Sequence, residues 1–280
     1  QDNEITVVGD PDQTIYTWRG ADISIILALL GIFIVVTLVR AIFFKEKKQE
    51  KEKLLPEMIN MEKYCRDLSD AIKIKTISNY DRELVDWSEF DRFHAFLEER
   101  FPLVHKNMTK TKVADASLVY KWEGSDPSLD GIAMLAHQDV VPVTPGTEDD
   151  WKYPAYSGEV AEGFLWGRGA IDMKNHLIGV CEAVETLLEE GYVPERDVYL
   201  CFGHNEEVMA EGEICGADCM MRWFKERGIK LDSVLDEGGA ILEAKVDKVI
   251  DGHLAGVGIA EKGHVDFEIS VNAKGGHSSQ

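Results

Sequence analysis

The chain has 280 residues, of which 45% are hydrophobic and 29% are charged, a composition typical of a globular protein with one large or two smaller domains. Its 51 Asp and Glu residues outnumber its 30 Lys and Arg residues, for a formal net charge of -21. Nucleic acid and anionic lipid are both polyanionic, so this charge disfavours binding to either, and we expect no nucleic-acid partner.

The segment that follows the first 22 residues is almost entirely apolar. Residues 23–44 are about as long as the roughly 20 residues that span a bilayer, and they predict a transmembrane helix. A buried core helix and a signal peptide are the alternatives, but a charged run follows at once and no small-residue cleavage site stands out. That run, residues 45–53, contains five lysines and predicts a solvated stalk. Lysines on this side favour a single-pass membrane protein with its C-terminal part on the cytoplasmic side.

From Leu54 onward, predicted helices and strands alternate along the chain. Hydrophobic periodicity predicts helices over 54–78, 83–100, 173–190 and 212–227, and strands over 117–122, 131–136, 196–203 and 233–235. This alternation implies βαβ units and an α/β fold with a mainly parallel sheet. Further strands are predicted over 254–260 and 265–271, so we expect a second, α+β domain to begin near residue 263.

Histidine and acidic residues stand where the predicted strands end or a helix begins. They are His137, Asp139, Asp172, Glu206, Glu207 and Asp236. Because the carboxyl ends of parallel strands form the ligand crevice of an open sheet, these side chains are expected to converge. Imidazole and carboxylate groups bind zinc, and two ions about 3.5–4 Å apart can activate a water together. Each residue alone is more often an ordinary polar residue, but their joint order predicts a metal site.

The pairing of the acids suggests a division of roles. Of two adjacent carboxylates, Glu206 and Glu207, one can bind a metal while its neighbour takes a proton from water. Asp172 could bridge two ions. Asp139 lies two residues after His137 and is suited to accept the imidazole N–H and fix the tautomer.

Five motifs resemble those of the co-catalytic zinc peptidases, the family of aminoacylase, carboxypeptidase S, acetylornithine deacetylase and succinyl-diaminopimelate desuccinylase. They are LAHQDVVPV, WGRGAIDMKN, HNEEV, LDEGG and GGHSS, and the resemblance runs from about residue 54 to residue 280. The combination looks closest to carboxypeptidase S and the N-acyl amino acid hydrolases. The resemblance implies hydrolysis of an amide bond in a small peptide or N-acyl amino acid.

The resemblance also implies two Zn²⁺ ions, with Co²⁺ or Mn²⁺ as alternatives, and assigns a role to each residue. His137 and Asp236 would bind one ion, Glu207 the other, and Asp172 both, with Glu237 competing for the role of Asp236. Glu206 would be the general base, and Asp139 would orient His137. The family has a cis peptide bond after its bridging Asp, here Asp172–Met173.

The same resemblance implies two domains. Residues 54–262 would form the catalytic domain, and residues 263–280 would begin an inserted α+β lid through which the protein forms a homodimer. His277 in the lid would reach across the dimer to stabilise the oxyanion in the neighbouring subunit. The family uses one more His ligand far downstream, so the catalytic domain is expected to be incomplete and this chain to be a fragment with weak or no activity.

Residues 4–22 resemble an unrelated block of UvrD/PcrA-type DNA helicases. By this resemblance Gln13 would sense a nucleotide γ-phosphate and Trp18 would stack on a base. The chain has no phosphate loop of the G-x-x-x-x-G-K-[ST] type, so it cannot be a helicase, and residues 1–22 are interpreted as a helicase-like fragment joined by fusion. The alternative function is a membrane-anchored scaffold or interaction protein with a degenerate hydrolase domain.

Overall fold

The computed structural model describes residues 23–43, 60–208, 212–238, 241–246 and 250–258. The chain divides into two compact units, Gln1–Leu55 and Pro56–Gln280. In the first unit the described part is helix α1, Ile23–Ile42. Its Thr37 hydroxyl donates to the Phe33 carbonyl at 2.8 Å, so this polar group is satisfied within the helix.

The prediction of a transmembrane helix over residues 23–44 is wrong. Within the part of the chain that the structure describes, no helix has both the length and the apolar character needed to cross a bilayer. The basic residue Arg40 lies in the last turn of α1 and interrupts the apolar segment. The predicted single-pass membrane location on the cytoplasmic side, which rested on this helix, is corrected with it.

The second unit contains five further helices and nine strands among its described residues. The helices are α2 (Met61–Ile72), α3 (Trp87–Arg100), α4 (Pro102–Asn107), α5 (Lys174–Glu189) and α6 (Gly216–Glu226). The strands are β1 (Thr109–Val113), β2 (Ser117–Trp122), β3 (Gly131–His137), β4 (Glu159–Ala161), β5 (Phe164–Trp166), β6 (Val198–Gly203), β7 (Leu231–Leu235), β8 (Ile241–Val246) and β9 (Ile250–Ala255).

The main sheet has five strands in the order β1-β2-β6-β3-β7. Strand β3 pairs in parallel with β6 and with β7, whereas β2 is antiparallel to both β1 and β6. The sheet is therefore mixed, and the prediction of a mainly parallel sheet is corrected. The cause is the hairpin of β1 and β2, since the three residues that join them are too few for the crossover that a parallel pair requires.

Helices cover both faces of this sheet. On one face, Leu200 and Phe202 of β6 lie in a core with Leu177 of α5 and residues of α2 and α3. On the other face, Tyr199 and Cys201 of the same strand lie in a core with Met220 of α6. Alternate residues of β6 thus point to opposite layers, as expected of a strand buried on both sides. The α/β prediction is confirmed in this α/β/α arrangement.

Several predicted boundaries shift in the structure. Helix α2 ends at Ile72 rather than residue 78, and Ile77 pairs instead with Val140 in an isolated parallel bridge. Helix α3 begins at Trp87, after a separate 3₁₀ turn at Arg82–Leu84. The sequence does not predict helix α4 or strands β1, β4, β5 and β8. Residues 1–22, the predicted stalk at 45–53 and the predicted lid at 263–280 with His277 lie outside the described residues.

Candidate metal centre

His137 is the last residue of β3 and is 2% exposed. Its Nδ1 donates to the main-chain carbonyl of Asp139 at 2.9 Å, and its Nε2 lies 2.9 Å from a carboxylate oxygen of Asp172. The carboxylate of Asp139 is 3.3 Å from Nδ1. One ring nitrogen is thus held by residue 139 while the other faces the acidic residues, an arrangement typical of a histidine metal ligand.

Asp172 lies in the loop just before α5, and its side chain is 63% exposed. The Asp172–Met173 peptide bond is cis, as the resemblance implies. The end of the loop is anchored by Lys174, the first residue of α5. Its fully buried ammonium donates to the carbonyls of Ala71 and Ile74 at 3.0 and 2.6 Å. The loop that carries Asp172 is therefore bound to the chain at the end of α2.

Glu206 and Glu207 open a 3₁₀ turn, Glu206–Val208, three residues after β6 ends. The N–H of Glu206 donates to Oδ1 of Asp139 and the N–H of Glu207 donates to Oδ2, each at 3.2 Å. Asn205 accepts the N–H of Gly216 at 2.9 Å and so joins the same turn to the start of α6. The turn is thus held on two sides.

Three of the predicted ligands converge on one point. One ligand atom from each of His137, Asp172 and Glu207 lies within 4.8 Å of the other two. Carboxylates of Glu206 and Glu237 lie 3.9 and 3.8 Å from Nε2 of His137. One nitrogen and several carboxylate oxygens are a donor set that zinc accepts, so the residues present fit a divalent metal ion.

Asp236 is the predicted ligand that the structure does not place in this cluster. It follows β7, and its carboxylate accepts the N–H of Glu237 at 2.9 Å. The neighbouring Glu237, which the sequence left as a competing choice, points its carboxylate towards His137 instead. A cavity of about 300 Å³ opens beside them, lined among others by His137, Glu206, Asp236 and Glu237.

The electrostatics of the cluster show crowded negative charge. Burial, together with the charge of Asp172, raises the pKa of Glu207 to about 7. Burial also raises the pKa values of Glu206 and Glu237, and neighbouring carboxylates add to the effect. Burial alone would lower the pKa of His137, but hydrogen bonds to Asp139 and Asp172 and the charges of Asp139 and Glu206 raise it to about 10. A bound cation would relieve this repulsion and take the place of the protons.

Two contributions to the site were not predicted from the sequence. The bonds of Asp139 to the Glu206–Glu207 turn join residues that are 67 and 68 positions apart, and no local pattern indicates them. The bonds of Lys174 span 103 and 100 positions. A lysine at the start of a helix, directly after a predicted metal ligand, is the one signal that could have drawn attention to the second contribution.

A model of peptidase family M20/M25/M40 matches residues 133–273, which include the cluster. The chain belongs to this family. Membership confirms the predicted resemblance, and the family is one of peptidases, as the sequence predicts. A model of the UvrD/REP helicase N-terminal domain matches residues 1–33, in agreement with the second resemblance.

Curated relatives of this M20 chain include carboxypeptidases and an acyl-amino-acid enzyme. The chain is 38% identical to probable carboxypeptidase S-like 2 of Dictyostelium discoideum over 90% of its own length and 49% of the relative's. It is 41% identical to carboxypeptidase S of Saccharomyces cerevisiae over 76% and 37% of the two lengths. It is 36% identical to N-fatty-acyl-amino acid synthase/hydrolase PM20D1 of Mus musculus over 76% and 41%. The chain thus spans about half or less of these relatives.

A solved structure supports the fold. The crystal structure of the M20 family metallo-carboxypeptidase Sso-CP2 from Sulfolobus solfataricus is similar with a TM-score of 0.50 and 20% sequence identity, over 64% of this chain and 38% of that one. At this identity the similarity shows the fold alone.

Proposed function

We propose that this chain forms the metal-binding part of a hydrolase that cleaves an amide bond in a small peptide or an N-acyl amino acid. The observation that carries the proposal is the convergence of His137, Asp172 and Glu207 within 4.8 Å, with Glu206 beside them. The names of the relatives support the substrate classes, since they include a carboxypeptidase and an N-fatty-acyl-amino acid synthase/hydrolase.

The residues present divide into those that would hold metal and those that would move a proton. His137 and either Asp236 or Glu237 would hold one ion, Glu207 the other, and Asp172 both. Two Zn²⁺ ions, when bound, would lower the pKa of a water and polarise the scissile carbonyl. Co²⁺ and Mn²⁺ suit the same carboxylate-rich donor set.

Glu206 would act as the general base. Its carboxylate lies 3.9 Å from Nε2 of His137, beside the cluster, and burial raises its pKa above the ordinary value. A carboxylate with a raised pKa accepts the proton of the attacking water more readily, and as the acid it then returns that proton to the departing amine nitrogen. The cavity of about 300 Å³ beside Glu206 gives room for a small substrate.

Asp139 and His277 would assist. Asp139 would orient His137, which it contacts at Nδ1 through its main-chain carbonyl and its carboxylate. His277, which lies outside the described residues, would stabilise the oxyanion across a homodimer formed by the lid.

Two measurements test the proposal, Zn²⁺ binding and the rate of hydrolysis. We expect the chain to bind Zn²⁺ in a calorimetric titration. In the natural full-length protein we expect Glu206→Gln to lower hydrolysis of N-acetyl-methionine or of a dipeptide by at least about 100-fold, since a general base contributes on that order. The variant should keep its zinc, because Glu206 is not assigned as a ligand.

Two results would contradict the proposal. Turnover that survives Glu206→Gln would remove Glu206 from the role of base. Failure of the wild-type protein to bind Zn²⁺, Co²⁺ or Mn²⁺ would favour the alternative of a scaffold with a degenerate site.

A further inference from the structure

Asp139 makes more contacts than the orientation of His137 requires. Its side chain is fully buried. Oδ1 accepts the N–H of Glu206 and Oδ2 accepts the N–H of Glu207, each at 3.2 Å, while Oδ1 also lies 3.3 Å from Nδ1 of His137. A single carboxylate therefore joins the end of β3 to the turn that follows β6.

The two N–H groups that Asp139 binds are the first of the 3₁₀ turn Glu206–Val208. The first N–H groups of a helical turn have no acceptor within the turn, so they need one from elsewhere. An ionised carboxylate is a stronger acceptor than a neutral group, and in a buried position each of its oxygens is oriented by the bonds that it accepts. The carboxylate of Asp139 therefore fixes the direction in which the turn leaves β6.

His137 depends less on this carboxylate. Its Nδ1 is 2.9 Å from the main-chain carbonyl of Asp139, closer than the 3.3 Å to the carboxylate. The carbonyl remains whatever side chain stands at position 139. A change of the Asp139 side chain therefore leaves an acceptor for His137 but removes the acceptor of Glu206 or Glu207.

We propose that Asp139 is the positioning residue of the Glu206–Glu207 turn, in addition to its contact with His137. Through two backbone bonds it holds Glu206 where it would act on the attacking water and Glu207 where it would bind metal, and so couples both to the strand that carries His137. The inference rests on the proposed function for the roles of Glu206 and Glu207, but the bonds themselves are tested without metal or substrate.

Asp139→Asn separates the two tasks of the side chain. The amide has the shape of the carboxylate but only one acceptor oxygen. With that oxygen at the position of Oδ1, the contacts to His137 and Glu206 remain, and the NH₂ group meets the N–H of Glu207. Two donors cannot bond, so Glu207 loses its partner.

Four readouts follow in this variant. Amide hydrogen exchange at Glu207, measured by NMR, should accelerate at least tenfold. With Zn²⁺ bound, the ¹⁵N shifts of His137 should still show the tautomer with hydrogen on Nδ1. Zinc affinity, measured by calorimetry with ZnCl₂, should fall about 10–100-fold, as for other partners of metal ligands. In the full-length protein kcat should fall more than KM rises, because the turn that carries Glu206 is then held by one of its two bonds to residue 139.

Asp197→Asn is the matched control. Oδ1 of Asp197 accepts the N–H of Gly124 at 2.9 Å, and Asp197 directly precedes β6, at the opposite end of the strand from Glu206. It is the same substitution at a carboxylate that also binds a backbone N–H. We expect it to leave zinc affinity and exchange at Glu207 unchanged.

The outcomes are distinguishable. Unchanged exchange at Glu207 in Asp139→Asn, or loss of the His137 tautomer with the turn intact, would overturn the inference. If the variant does not fold, amide hydrogen exchange in the wild-type protein is the test. The amides of Glu206 and Glu207 should exchange nearly as slowly as those of Leu200 and Phe202 in β6. Rapid exchange would refute the positioning role of Asp139. A wild type that binds no zinc contradicts the proposed function, and the exchange comparison still tests Asp139.

Discussion

The two sides of the candidate metal centre are built differently. On one side His137 ends a central strand, is 2% exposed and is held by Asp139, which is fully buried. On the other side Asp236 and Glu237 follow β7, the last strand of the sheet that the described residues form, whose Val234 and Leu235 are 53% and 54% exposed. A buried, hydrogen-bonded ligand is fixed before metal arrives, whereas an exposed turn loses conformational freedom when it binds. The side of the site that contains His137 should therefore supply most of the affinity for the metal ion.

The strongest test of this comparison is removal of His137. We expect His137→Ala to lower zinc affinity by about 100-fold or more, because it removes the one nitrogen ligand of the cluster. Zinc binding is measured by competition with a chelator. His253→Ala, at an exposed residue of β9, is the control and should bind zinc as the wild type does. Equal affinity of the two variants would refute the assignment of His137.

The buried side also depends on Lys174. Lys174→Met keeps the length of the side chain but removes the two hydrogen bonds that Lys174 donates to the carbonyls of Ala71 and Ile74, each of which keeps a backbone N–H donor. Since a hydrogen bond contributes about 0.5–1.5 kcal/mol, we expect the free energy of unfolding in urea to fall by roughly 1–3 kcal/mol. Lys110→Met, which removes a surface ion pair with Glu98, should cost less than about 1 kcal/mol. Equal losses in the two variants would show that Lys174 does not anchor the loop.

The exposed side is tested by comparing its two acids. The carboxylate of Glu237 lies 3.8 Å from Nε2 of His137, whereas that of Asp236 binds the N–H of Glu237. We therefore expect Glu237→Gln to weaken zinc binding by about 10-fold, the lower end of the 10–100-fold range for changes of groups around a metal. Asp236→Asn should weaken zinc binding less. The reverse order, in the same chelator competition, would favour Asp236 as the ligand.

The sequence predicts the convergence of His137, Asp172 and Glu207 better than it predicts the choice between Asp236 and Glu237. His137, Asp172 and Glu207 could be placed because each stands beside a strand end or helix start, and secondary structure brings those points together. The choice between Asp236 and Glu237 could not be made, because adjacent residues in an exposed turn differ only in side-chain direction. The mixed sheet was missed for a related reason. The partner of β2 is β6, which is 76 or more positions away, and periodicity contains no information about pairing over such distances.

The smallest expected effect concerns pH, and it also separates the two sides. The pKa of His137 is raised from 6.5 to about 10 in the folded chain without metal. A histidine whose folded pKa is raised binds its proton more tightly when folded, so its contribution to stability is complete below pH 6.5 and is lost as the pH rises towards 10. Glu207, with a pKa raised from 4.5 to about 7, acts in the same direction, because the folded chain keeps its proton longer than the unfolded chain does.

Without metal, Tm should therefore decline by a few degrees from pH 6.5 to pH 9. With saturating Zn²⁺ the slope should diminish or reverse, because metal takes the place of these protons and binds better as they leave. In His137→Gln the part of the slope above pH 7 should disappear. A wild-type Tm that rises over this range in the presence of a chelator would show that the acids around His137 do not hold its proton. The side of the site that contains His137 would then be no better ordered before metal binds than the side that contains Asp236 and Glu237.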